Sequence, residues 1–139
     1  MTRTYKKLAR ARNFMRDCYD QPLNLTAISA EAHLSPYHFQ RRYKQTFQET
    51  PHAFLTRVRI DKAKTLLSKG SHTVTETCFE VGFSSLGSFS SLFTRYVGLS
   101  PSTYQRHART SVLIDHPVRS VFVPSCFFAM LYGDQQNKP

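Results

Sequence analysis

Through residues 4–109, apolar side chains recur every three or four positions, the period of helices buried along one face. The clearest case is Phe39, Tyr43 and Phe47, a single aromatic stripe on one side of a helix. Three hydroxyl–proline pairs punctuate the pattern: Ser35-Pro36, Thr50-Pro51 and Ser100-Pro101. A hydroxyl caps a free backbone N–H, and proline at the first helical position has no N–H to leave unpaired, so each pair marks a helix start. The pattern predicts an all-α chain of seven helices. They run from about Thr4 to Asp20, Leu25 to His33, Pro36 to Gln48, Pro51 to Lys69, Val74 to Glu80, Leu86 to Val97 and Pro101 to Arg109. Gly70, Gly82 and Gly98 stop the fourth, fifth and sixth. Expected core residues are Leu8, Phe14, Met15 and Cys18 in the first helix and Leu25, Ile28 and Ala32 in the second. In the fourth they are Phe54, Leu55, Val58, Leu66 and Leu67.

The pattern repeats. A shift of 50 positions lays Ser35 on Ser85, Phe39 on Phe89, Tyr43 on Phe93, Phe47 on Val97, Pro51 on Pro101 and Phe54 on Tyr104. Upstream, a shift of 49 fits better: Leu25 on Val74, Thr26 on Thr75 and Leu34 on Phe83. The second copy therefore holds one extra residue in its turn. Each copy is a short helix, a turn and a longer helix, the plan of a helix-turn-helix whose second helix lies in the major groove. The expected organisation is a first unit at about 4–50, a linker helix at 51–69, a second unit at 73–109 and an apolar tail at 110–139.

Charge narrows the partner. The 139 residues carry 19 Lys and Arg against 9 Asp and Glu, a net charge of +10. Residues 1–69 hold 14 basic and 5 acidic side chains, and residues 70–109 hold 3 and 2. The positive field belongs to the first half, which favours a polyanion, nucleic acid before an anionic membrane. Cys18, Cys78 and Cys126 are an odd, widely spaced set, suited to reduced thiols in the cytoplasm. No apolar run approaches the roughly 20 residues of a bilayer span, so no membrane partner is expected.

The polar side of the third helix holds the candidate reading residues Tyr37, Gln40 and Arg41. Arginine suits guanine O6 and N7, glutamine suits adenine N6 and N7, and a tyrosine ring suits a thymine methyl. His38, Arg42 and Lys44 are candidates for the DNA backbone. In the sixth helix the matching places hold Gly87, Ser88, Ser90 and Ser91, with Leu86 at the helix start and Thr94 opposite Lys44. These short neutral side chains lack bidentate reach, so the second unit is expected to discriminate less. Arg95, Thr103 and Arg106 are its expected backbone contacts. The linker helix, at about 1.5 Å per residue, spans on the order of 28 Å, close to one turn of B-DNA. One chain as a monomer is then expected to read two adjacent major-groove segments. Arg57, Arg59, Lys62 and Lys64 on that helix are either phosphate contacts or a solvated face.

Four runs carry a family resemblance: the stretch from Leu25 to Tyr43, Val58 to Leu67, Val81-Gly-Phe-Ser-Ser, and Phe89 to Tyr104. Together they resemble the DNA-binding domain of the AraC/XylS family of bacterial transcription regulators, across roughly residues 4 to 109. The resemblance implies a seven-helix fold, promoter binding, and usually activation through contact with RNA polymerase. It implies base contacts at Tyr37, Gln40, Arg41, Leu86, Gly87, Ser88, Ser90 and Ser91. The family commonly has Arg at the place of Ser91, which puts the second unit's reading in question. The domain starts almost at Met1, so the resemblance is to the short, stand-alone members.

The tail from Val118 to Tyr132 is apolar and aromatic, interrupted by Pro124. It is expected to fold back on the helical domain or to form a dimer or polymerase contact. No metal-binding, phosphate-loop or nucleophile-elbow motif appears, so neither an enzyme nor a cofactor or metal is expected. Cys126 has no neighbouring base to activate it. The leading expectation is a sequence-specific regulator, as an activator, that binds double-stranded DNA. The alternatives are a nonspecific or architectural nucleic-acid binder and a module that binds polymerase.

Overall fold

The computed structural model describes residues 2–113. They form α1 (Arg3–Asp17), α2 (Leu25–Glu31), α3 (Pro36–Phe47), α4 (Pro51–Lys69), α5 (Val74–Glu80), α6 (Leu86–Val97) and α7 (Pro101–Leu113). The described residues are all helix and connection, as the periodicity predicts. The chain divides into two compact units, one ending at Asp61 and one beginning at Lys62. The expectations for the tail lie outside the described residues.

All three hydroxyl–proline pairs start helices. Ser35 Oγ accepts from the His38 N–H at 3.4 Å, Thr50 Oγ1 from Ala53 at 3.1 Å and Ser100 Oγ from Thr103 at 3.3 Å. In α5 a reciprocal cap forms: Thr73 Oγ1 accepts from the Glu76 N–H at 3.1 Å, and Glu76 accepts from the Thr73 N–H at 2.8 Å.

In the first unit, Leu8, Met15, Ile28, Phe39, Tyr43 and Phe54 are buried together. The aromatic stripe of α3 continues into α4, with ring centroids 5.5 Å apart for Phe39–Tyr43 and 6.4 Å for Tyr43–Phe54. The second unit repeats this with Phe89–Phe93 at 5.7 Å and Phe93–Tyr104 at 5.5 Å. The rings pack tilted against one another, and Phe93 and Tyr104 meet edge to face, so each small core carries a run of aromatic contacts.

The turn between α2 and α3 closes through the left-handed residue His33, φ 53°. The Leu34 N–H donates to the Ser29 carbonyl at 3.2 Å, and the His33 N–H to that of Ala30 at 3.0 Å. Both carbonyls also face the Ala32 N–H, so the last turn of α2 ends in shared hydrogen bonds rather than unpaired acceptors. Gly82 closes the matching turn in the second unit at φ 96°, with Phe83 bonding Cys78 at 3.1 Å. The connections are residues 32–35 and 81–85, so the extra residue of the second turn is present. Ser29 and Cys78 are both buried beneath these turns, small side chains where two helices meet. Burial pushes the Cys78 thiol pKa up, which makes it a packing residue and a poor nucleophile.

Several boundaries differ from the sequence expectations. α1 stops at Asp17, three residues before Asp20, and α2 at Glu31, because His33 turns the chain out of the helix. α7 continues past Arg109 to Leu113, since no glycine or proline interrupts it before Pro117. Leu66 is only half-buried, and so are Phe14, Cys18 and Leu25. Ile60, Ala63 and Leu67 take the inward positions of α4, at the spacing of one helical face.

Candidate nucleic-acid interface

The α3 residues divide cleanly by face. Phe39 and Tyr43 are fully buried, while Tyr37, His38, Gln40, Arg41, Arg42 and Lys44 are all exposed. Tyr37 is 71 % exposed, unusual for a ring that size. Its ring sits 6.1 Å from that of His38, so the helix begins with two adjacent aromatic surfaces in solvent. Arg41, Arg42 and Lys44 form no ion pair among the described residues, and α3 contains no acid. The result is a cationic, hydrogen-bonding helix face held rigidly by the aromatic core behind it. Such a face suits the floor and walls of a major groove.

In the second unit, Leu86, Gly87, Ser88 and Ser91 are exposed, but Ser90 is half-buried. Ser90 also gives its carbonyl to the Thr94 hydroxyl at 2.8 Å, which spends that hydroxyl's proton within the helix. A Cβ on Gly87 would meet only Ser85 Oγ, at 3.8 Å, so the fold leaves open space there. Arg95 and Arg106 are exposed. Thr103 is half-buried, and its hydroxyl takes a hydrogen bond from Ser100 at 2.8 Å. This face is uncharged over its first turns, in contrast to that of α3.

Two of the cations on α4 have work inside the first unit. Arg59 donates from Nε to the Tyr19 carbonyl at 2.6 Å and from a terminal nitrogen to that of Gln21 at 2.8 Å. It thereby ties down the segment after α1. Burial pulls its pKa down, and Asp20 opposes that. Arg57 bonds Glu49 at 2.8 Å. The choice between phosphate contact and solvated face thus misses a third use, internal clamping, for Arg57 and Arg59. Periodicity does not reveal it, because the partners of Arg59 are backbone carbonyls about 40 residues away. The turn residue His33 and the Arg12–Glu49 pair also escape sequence reasoning, although the 49-residue shift does align His33 with Gly82.

A model described as a helix-turn-helix domain matches residues 28–107 of this chain. The span takes in both units. The chain belongs to the AraC/XylS family. The MmsAB operon regulatory protein of Pseudomonas aeruginosa is 33 % identical over 96 residues, 69 % of this chain and 31 % of that protein. The transcriptional activator RhaS of Salmonella arizonae is 33 % identical over 95 residues, 68 % of this chain and 34 % of its own length. The chain thus spans about a third of the length of the AraC-type relatives it matches. Among solved structures, the C-terminal domain of AraT from Geobacillus stearothermophilus aligns with TM-score 0.70 and 28 % identity, covering 76 % of this chain and 88 % of that one. A probable AraC family regulator from Rhodopseudomonas palustris aligns with TM-score 0.69 and 26 % identity, covering 74 % and 97 %. These relatives are transcription regulators, and the shared part is their helix-turn-helix domain rather than an enzyme. No helix among the described residues is long and apolar enough to cross a membrane.

Proposed function

We propose that this chain regulates transcription as a promoter-specific DNA-binding protein, with α3 and α6 each laid in the major groove of one duplex. The observation that carries this reading is the two-faced α3: Phe39 and Tyr43 fully buried, and Tyr37, Gln40, Arg41 and Lys44 in solvent without an acid among them. Tyr37, Gln40 and Arg41 read base edges, while His38, Arg42 and Lys44 hold phosphates. Leu86, Gly87, Ser88 and Ser91 make closer, singly bonded contacts in the second unit. Arg95, Thr103 and Arg106 steady the backbone there. Ser90, being half-buried, contributes least of the proposed reading set.

The chain acts as a monomer on two adjacent groove segments, and it activates through contact with RNA polymerase. That the similar protein RhaS is a transcriptional activator supports that sign. The test is selection of bound sites from a random duplex pool, followed by affinity measurements on the selected and a scrambled duplex across a salt series. The proposal expects a defined motif, bound about a thousandfold or more above the scrambled duplex. Equal affinities that vanish together with salt would make the chain a nonspecific binder.

A further inference from the structure

The first unit contains a charged cluster where α1, α3 and α4 meet. The Arg12 guanidinium of α1 lies over the Phe47 ring at 4.5 Å and the Phe54 ring at 4.7 Å. Its terminal nitrogen reaches Glu49, in the link between α3 and α4, at 3.5 Å. Glu49 also receives Arg57 of α4 at 2.8 Å. Arg12 therefore touches the last turn of α3, the link that follows it and the first turns of α4. Its side chain is only 29 % exposed and that of Glu49 only 22 %. At the 50-residue repeat, Tyr43 and Glu49 are replaced by Phe93 and Leu99.

The cluster sets favourable stacking of Arg12 on two rings against the unfavourable burial of charge. Arg12 Nε and Tyr43 Oη are both buried; the guanidinium lies beside the phenol, but neither atom makes a well-formed hydrogen bond among the described residues. Leaving a buried donor unpaired is unfavourable, and partly buried ion pairs are weak sources of stability. Burial raises the Tyr43 phenol pKa, with nearby Arg12 opposing it, so the ring stays neutral and donates no counter-charge. What such a cluster supplies is registry: a planar cation between two rings and a carboxylate has few alternative positions.

We infer that Arg12 is a positioning residue for DNA recognition, pinning the C-terminal turn of α3 so that Gln40 and Arg41 meet their bases at one fixed angle. This rests on the proposed role of α3. An apolar residue at position 12 keeps the core but lets α3 settle in more than one pose, and small displacements of a reading helix cost discrimination before they cost affinity. The matching places of the second unit hold the uncharged Phe93 and Leu99, in keeping with its neutral face.

The experiment compares the 139-residue chain with its Arg12→Met, Arg12→Lys and Arg41→Ala variants by site selection and by the salt dependence of binding. Positions flattened by Arg41→Ala define the bases read by the first unit. Arg12→Met should reduce preference at those positions by about threefold to tenfold, a fraction of a lost bidentate contact, with the salt slope unchanged. Arg12→Lys, which keeps the charge near Glu49 but not the plane, should recover part of it. Should Arg12→Met fail to fold, the Lys variant carries the test with a smaller flattening. An unchanged profile in a folded variant would overturn the inference. So would equal flattening across the whole site, or a salt slope lowered by about one, the mark of a direct phosphate contact. A wild type with no sequence preference would instead overturn the proposed function.

Discussion

His33 and Gly82 occupy the same place in the two helix-turn-helix repeats, and both take left-handed backbone angles, φ 53° and 96°. The pairing recurs at the ends of α3 and α6, where Gln48 has φ 59° and Gly98 has φ 86°. Both turns demand a conformation that glycine adopts freely and other residues adopt at a cost. The second unit meets the demand with glycine at both places, and the first with side chains. His33→Gly should therefore stabilise the first unit by about 0.5–1 kcal/mol, and His33→Val should destabilise it by more than that. Urea unfolding followed by helical signal measures both, and a destabilising glycine would contradict the comparison.

Arg41 should matter more than Ser91. Arg41→Ala is expected to lose about 1–3 kcal/mol on the best duplex and to relax preference at one base pair. Ser91→Ala should lose less, since a single hydroxyl cannot bond a base edge twice. Equal losses, measured by titration on the same duplex, would refute the asymmetry between the two faces.

Arg59 and Lys44 separate internal clamping from DNA contact. Arg59→Ala leaves the Tyr19 and Gln21 carbonyls without these bonds and should destabilise the fold by about 1–3 kcal/mol, with no change in the salt slope of DNA binding. Lys44→Ala should leave stability near wild type and lower that slope by about one. A reversed outcome would return Arg59 to the DNA surface.

Glu76 gives a pH-dependent signature. Its hydrogen bonds from Thr73 hold the carboxyl below its ordinary pKa. A depressed folded pKa adds stability above the unfolded value, near 4.3 for glutamate, and that stability is lost as pH falls through the folded value. Glu76→Gln keeps an acceptor for the Thr73 N–H but cannot titrate. Its unfolding midpoint should fall less steeply than that of wild type as the solution is acidified. Parallel curves would show that the cap carries no such linkage.

The helix order was legible because Ser35, Thr50 and Ser100 each signal a start locally, through a side chain bonding its own backbone three residues on. The α3 face was legible for the same reason: Phe39 and Tyr43 against Gln40 and Arg41 is a pattern one helix turn wide. What escaped depends on distance. Arg59 reaches carbonyls about 40 residues away, and Arg12 reaches Glu49 across 37. The early ends of α1 and α2 escaped because polar residues continue the helical period past the point where the chain turns. Half-burial of Ser90, one of the expected base-reading positions, follows from packing that periodicity resolves only to within a position or so.

Guanine N7 methylation interference on a selected duplex tests the placement of α3 most directly, because N7 lies on the major-groove edge. Methylation of particular guanines should block the wild-type chain, and Arg41→Ala should lose its sensitivity at one of them. Binding indifferent to N7 methylation, but blocked by methylation of adenine N3 in the minor groove, would contradict it.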